Sequence, residues 1–293
     1  MIRMSIGEKI FQIFAVSIIT LMCITMLFPF IHLLSVSFSS PAEATRPGIH
    51  LIPKDISFEA YKKTLQSTRM WIGFGNSVFR TVIGAAAALF MMAITAYPLS
   101  KKYLPHRPFY NLIIIMTLFF SGGLIPSYLL IKNIGLMDSY LVYIVPMLIA
   151  TFSLLIMRNF FMGIPAELED SAKIDGANDF RILMSIVLPL SKPILATIGL
   201  WQAVNHWNAW FDALMYIQTP SKMVLQLYLR RLIISNEHSE LNAIMSQDVG
   251  VQEVIPETIK AAVLIVVTVP IVLVYPFLQK YFVKGALIGS LKG

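Results

Sequence analysis

Trp201, Asn205, Asn208 and Asp212 follow one another at steps of four, three and four residues through a largely apolar stretch, with Trp207, Trp210 and Phe211 beside them. At 3.6 residues per turn those four positions share one face of a helix. Amides and a carboxylate hydrogen-bond hydroxyl groups, and indoles stack on the apolar faces of polyhydroxylated rings. The stripe therefore suits a path for a hydroxyl-rich solute. Two other readings use the same residues: amides that bond neighbouring helices, and tryptophans that form an interfacial belt.

Arg80, with Asn76 about one turn before it, is a second polar feature of an apolar run. A guanidinium at such a position must be paired, wet, or stretched to the interface on its long stem. Lining a path, it would favour an anionic solute. His32 and His206 are the other titratable groups of interest, and with no neighbour at metal-ligand spacing both read as satisfied packing residues.

A third feature is the stretch from Pro165 to Asn178, in which charge is concentrated. Five acids and two bases fall between Glu167 and Arg181. Pro165 suits the first turn of a helix, and Glu167, Glu169 and Asp170 lie near the positive end of that helix's dipole. Gly176 offers a terminator able to adopt positive φ, and Asn178 or Asp179 can cap a new helix into Phe180, Ile182 and Leu183. The expectation is a short helix, a tight turn and a second helix.

Familiar seats for catalysis are missing. The chain has no G-x-x-x-x-G-K-[ST] phosphate loop, no H-E-x-x-H, no C-x-x-C and no G-x-S-x-G. Gly73-Phe-Gly75 lacks the third glycine of a dinucleotide fingerprint. No cofactor is therefore expected in this chain.

The elements that must position these residues are set by composition. With 57% hydrophobic and 13% charged residues, the chain exceeds what a soluble domain buries, since such domains are roughly one quarter charged. Apolar runs of about 20 residues, the length a bilayer needs, begin at residues 10, 72, 109, 140, 186 and 261. The fold class is all-α: a polytopic membrane protein with six transmembrane helices. Residues 1–71 form an N-terminal span and external loop, and 72–293 a core with a cytoplasmic loop 163–185 and an external loop 218–258. Lys101, Lys102 and Arg107, and Lys280, Lys284 and Lys292 in the tail, place those stretches and both termini in the cytoplasm. The formal charge of +7 is scattered with no aromatic-interleaved stripe, which argues for anionic lipid headgroups and against nucleic acid. Cys23 is the single cysteine, so no disulfide forms within the chain. Gly84-Ala-Ala-Ala-Ala88 is a small-residue surface for close helix packing.

The charged loop also resembles that of the membrane permeases of binding-protein-dependent ABC importers. Their loop reads Glu-Ala-Ala, three residues, Gly, nine residues, then Ile-x-Leu-Pro. Here Asp170-Ser171-Ala172, Gly176 and Ile186-Val-Leu188-Pro189 stand at those places, with two departures in the first three letters. The flanking Glu-Leu-Glu and Lys-Ile-Asp-Gly-Ala are similar to the carbohydrate-importing branch, as are Pro53–Tyr61 and Trp207-Asn208. The resemblance implies that Glu167, Leu168, Glu169, Asp170, Ser171, Ala172, Asp175, Gly176 and Ala177 seat in a groove of an ATPase. It also implies that Asn76, Arg80, Trp201, Asn205, Trp207, Asn208 and Asp212 line a substrate path. Expected partners are a second permease chain, an ATPase dimer holding ATP and magnesium, an external solute-binding protein and a carbohydrate, in a bacterial inner membrane. The closing Val283–Gly293 is similar to the tail of permeases for larger or acidic oligosaccharides, alginate oligosaccharides among them. Rival readings are a permease for peptides or amino acids, an ion-coupled secondary transporter and, further off, a membrane-embedded enzyme.

Overall fold

The computed structural model describes residues 5–234 and 257–290, so residues 235–256 of the expected outer loop and Lys292 of the tail lie outside the described residues. Within them every regular element is helical, apart from one isolated antiparallel bridge between Ser39 and Ile56. The helices are α1 (Ile6–Ser37), α2 (Pro41–Ala44), α3 (Glu59–Gln66), α4 (Thr68–Ser100), α5 (Arg107–Phe119), α6 (Leu124–Asn133), α7 (Thr151–Met162), α8 (Ala166–Ile174), α9 (Asp179–Ile182), α10 (Leu188–Leu190), α11 (Lys192–Asn208), α12 (Phe211–Tyr216), α13 (225–234) and α14 (Glu257–Ser290).

α1, α4 and the Glu257–Val274 part of α14 are each long and apolar enough to cross a membrane. The other expected spans are broken. Arg107–Phe119 and Leu124–Asn133 meet at 117°, Tyr140–Met147 and Thr151–Met162 at 51°, and Asp179–Leu190 and Lys192–Asn208 at 85°. Counted as one span each, these pairs bring the total to six. The causes are local. Gly123 at φ +82 turns the chain between α5 and α6. Pro146 sits in the short 3₁₀ turns before α7. Pro189 and Pro193, which lack an N–H, flank the bend at Ser191, after a wide π-helical stretch over Leu183–Val187.

The chain forms two compact units, Met1–Thr68 with Leu229–Val269, and Arg69–Tyr228 with Pro270–Gly293. In the first, α1 opens on a capping box: the Ser5 side chain accepts from Glu8 N–H at 3.2 Å and the Glu8 carboxylate accepts from Ser5 N–H at 2.7 Å. Nearly the whole length of α1 is exposed apolar surface, which in this composition is surface for lipid. Its end is tied to the following segment by Tyr61, whose hydroxyl lies 2.8 Å from Ser37 Oγ.

In the second unit, Ala88, Met92, Ala93, Ala96 and Tyr97 of α4 pack with Leu154, Met157 and Phe161 of α7, with Ile182, Leu183 and Val187, and with Ile198 of α11. This core sets α8 and α9 against one end of α4. Toward the other end, Gly84 admits the His206 ring so closely that an added Cβ would lie 2.5 Å from Cε1. His206 is fully buried there as a packing residue, but it is not satisfied as expected, because neither ring nitrogen has a hydrogen-bond partner.

Candidate functional site

The expected single helix through Asp212 is interrupted: α11 ends at Asn208, Ala209 is extended, and α12 begins at Phe211. Asp212 therefore does not continue the face of Trp201, Asn205 and Asn208. Arg80 fills the break. Its Nη1 donates to the Ala209 carbonyl at 3.0 Å and to Asp212 Oδ1 at 3.2 Å, and its Nη2 lies 2.5 Å from Asp212 Oδ2. The guanidinium also lies over the Tyr143 ring, 4.5 Å from its centroid. A cation thus meets the negative end of α11, and a carboxylate sits in the first turn of α12, where it also accepts from Ala213 N–H at 2.8 Å. Arg80 is 0% exposed, so it neither snorkels nor presents a free charge to a solute. It bonds to residues of the break itself and of the helix that follows it.

A cleft of about 280 Å³ adjoins this pair, lined among others by Asn208, Trp210, Phe211, Asp212 and Tyr216. Asp212 keeps a partly exposed carboxylate there. On α11, Asn205 and Asn208 are exposed, whereas Gln202, His206 and Trp207 are buried on the other side. Trp201 is half-buried and stacks on Phe152 with centroids 6.5 Å apart. Trp207 meets Phe74 edge-on at 6.0 Å, and its indole N–H has no acceptor.

Asn76 is committed to structure. Its Nδ2 donates to the carbonyls of Ser221 (2.9 Å) and Met223 (2.8 Å), and its Oδ1 accepts from the Tyr140 hydroxyl. The same loop is latched by Asp138, a residue the sequence reading passed over. Asp138 accepts from the Thr219 hydroxyl at 2.5 Å and from the N–H groups of Thr219 and Gln218 at 3.0 and 3.1 Å, and Lys222 Nζ lies 3.3 Å away. Those bonds, the Thr219 hydroxyl first, hold its carboxyl well below the usual carboxylate range. A depressed value means the latch is intact above the ordinary carboxylate range and persists as pH falls through it. Limited proteolysis at residues 218–222 should therefore be equally slow at pH 7 and pH 5 in the wild type and faster at both in Asp138→Asn. Faster cutting of the wild type at pH 5 would contradict the latch.

The charged stretch folds as its signals require. α8 follows Pro165, Gly176 has φ +80, and Asn178 caps α9 by accepting from Arg181 N–H at 2.8 Å. Glu167, Leu168, Asp170, Ser171, Asp175 and Gly176 are exposed, while Ala172 and Ala177 are half-buried against the core. Glu169 is turned inward, so its charge is used within the chain. It is buried, ion-paired with Lys101, and accepts from the Tyr97 hydroxyl at 3.3 Å. Lys101 in turn lies 4.4 Å from the Tyr97 ring centroid. This cluster fastens α8 to the end of α4. The exposed face also carries Ile174 and Phe180, which are 88% and 59% exposed.

Removing one partner's charge should loosen this joint. Glu169→Gln leaves Lys101 mostly buried without a carboxylate and is expected to cost about 1–3 kcal/mol. Adding Lys101→Met should recover much of the loss in a thermal melt. An unchanged melting point for Glu169→Gln would show that the joint contributes nothing.

Residues 73–287 match the family model described as "Binding-protein-dependent transport system inner membrane component". The polygalacturonan/rhamnogalacturonan transport system permease protein YtcP of Bacillus subtilis (strain 168) is 41% identical over 98% of this chain and 99% of its own length. Protein LplC of the same organism is 42% identical over 90% of this chain and 89% of its own. Among solved structures, a chain from a bacterial ABC transporter involved in the import of the acidic polysaccharide alginate superposes with a TM-score of 0.86 at 32% identity, covering 96% of this chain and 100% of that one.

Proposed function

The chain belongs to the binding-protein-dependent transport system inner membrane components, and from that membership we propose that it is one permease of an ATP-driven oligosaccharide importer, acidic oligosaccharides included. Each bent pair makes one span, giving six, with both termini and α8 on the cytoplasmic side. A second permease, an ATPase dimer holding ATP and magnesium, and an external solute-binding protein complete the assembly. Its core performs no covalent chemistry; it supplies a path and a bundle with two openings, whose balance shifts with the differential affinity of its partners.

The observation that carries this reading is the α8–Gly176–α9 element. It offers acids (Glu167, Asp170, Asp175) and bare apolar side chains (Leu168, Ile174, Phe180) on its open side, and on the inner side Glu169, Ala172 and Ala177 join it to the core. An ATPase gripping the open side would move the end of α4 through the Lys101–Glu169 pair. The substrate class draws support from the similar proteins, named for transport of polygalacturonan and rhamnogalacturonan or for import of alginate. On the path itself, Asn205, Asn208, Trp201 and the open edge of Asp212 would meet sugar hydroxyls and ring faces, with Arg80, Asn76 and Trp207 holding their frame.

Oligogalacturonides added with the binding protein should stimulate the reconstituted complex's ATPase more than neutral glucan oligosaccharides do, and peptides should not. Asn205→Leu with Asn208→Leu removes two hydrogen-bonding groups of about 0.5–1.5 kcal/mol each, a loss of roughly five- to 150-fold in uptake efficiency. Unchanged uptake kinetics would take α11 out of the path.

A further inference from the structure

The loop that follows α1 closes on itself. Ser40 N–H donates to the Asp55 carbonyl at 3.1 Å and Ser57 N–H to the Phe38 carbonyl at 2.7 Å, so both ends of the loop are pinned where α1 stops. Its middle turns back. His50 N–H donates to His32 Nδ1 at 3.2 Å, the two rings stack with centroids 5.9 Å apart, and His50 Nε2 bonds the Arg46 carbonyl at 2.8 Å. His32 stands five residues before the end of α1, about 7.5 Å back along the helix at 1.5 Å per residue. The tip of the loop therefore lies beside α1 and not beyond it.

Twenty residues separate Gln12 from His32, none of them charged, and they make about 30 Å of helix, the thickness of a bilayer's hydrocarbon core. The exposed apolar surface of α1 runs on to Ile31 and Leu34 at that level. Next to it the loop turns out Ile49, Leu51 and Ile52, which are 70%, 50% and 80% exposed. These side chains extend the surface that α1 gives to lipid, and Lys54, exposed just after them, can reach headgroups on its long stem. We propose that residues 49–52 dip into the bilayer leaflet at which α1 ends, with their aliphatic side chains among the acyl chains and His50 fastened to His32 at the boundary. This inference goes beyond the transport reading and rests only on the chain's membrane location.

The test uses the full chain in its purified complex, in phospholipid nanodiscs, with Cys23→Ser and a nitroxide attached to Ile52→Cys. Electron paramagnetic resonance compares the label's collisions with oxygen, which concentrates in lipid, and with a water-soluble nickel chelate. At position 52 oxygen collisions should exceed nickel collisions several-fold, and at Lys62→Cys, an exposed position on α3, the order should reverse. Ile49→Asp with Leu51→Asp beside the same label should raise its nickel collisions to the level of position 62. If that pair does not assemble, the comparison of positions 52 and 62 in the otherwise unaltered loop decides alone. Nickel access at position 52 equal to that at 62 would overturn the proposal, as would a label that is immobile and shielded from both reagents, the mark of a protein partner covering the tip. Nickel collisions left unchanged by the aspartates would do the same.

Discussion

Asp212→Ala is expected to lower the apparent Tm of the purified chain on the order of 10 °C and to abolish uptake. The substitution leaves the Arg80 guanidinium, which is completely enclosed, facing only neutral groups. Removing one member of a buried ion pair costs about 3–5 kcal/mol, because the desolvated charge remains. Arg80→Met with Asp212→Leu should restore most of the stability, since packed apolar side chains replace buried pairs with little loss. Uptake should stay impaired in the double variant, because the Ala209 carbonyl loses its donor and the start of α12 loses its carboxylate. Full transport in the double variant would show that the break between α11 and α12 needs no charge to be positioned.

Gly176→Pro carries the second large effect. Gly176 has φ +80, proline is held near −65°, and the Gly176 N–H that donates to the Lys173 carbonyl at 3.0 Å would be lost. The turn from α8 to α9 cannot form with proline, at a cost of about 3 kcal/mol or more. Gly176→Ala imposes the milder left-handed penalty of about 1–2 kcal/mol. Membrane insertion should survive in both, because the turn lies outside the apolar spans. ATP hydrolysis should proceed in the proline variant without accumulation of substrate. Wild-type uptake in Gly176→Pro would remove this turn from the coupling route.

Local signals made the α8–Gly176–α9 element legible in the sequence. Pro165, Gly176 and Asn178 act through their own backbone geometry; Gly176 and Asn178 take the expected places, and Pro165 stands one residue before the expected first turn, as the N-cap of α8. The inward turn of Glu169 could not be read in the same way. Charge alone does not distinguish it from Glu167, and the partners that bury it, Lys101 and Tyr97, come from a distant part of the chain. The end of α11 was hidden for a similar reason. Asn208-Ala209-Trp210 contains neither glycine nor proline, and the freed Ala209 carbonyl finds its donor in Arg80 of α4. Asp138 was overlooked because it stands alone in sequence; its latch is assembled by Thr219, Gln218 and Lys222. The small-residue stripe announced close packing, but its consequence, an imidazole on Gly84 with no hydrogen-bond partner, depends on which helix arrives.

The most direct measurement places a photo-crosslinking residue at position 174, in place of the exposed Ile174, within the assembled complex in native membranes. Illumination should join this chain to the ATP-hydrolysing subunit, with a yield that changes when a non-hydrolysable nucleotide is bound. No adduct with that subunit, or modification of position 174 by a membrane-impermeant reagent added outside intact cells, would contradict the account.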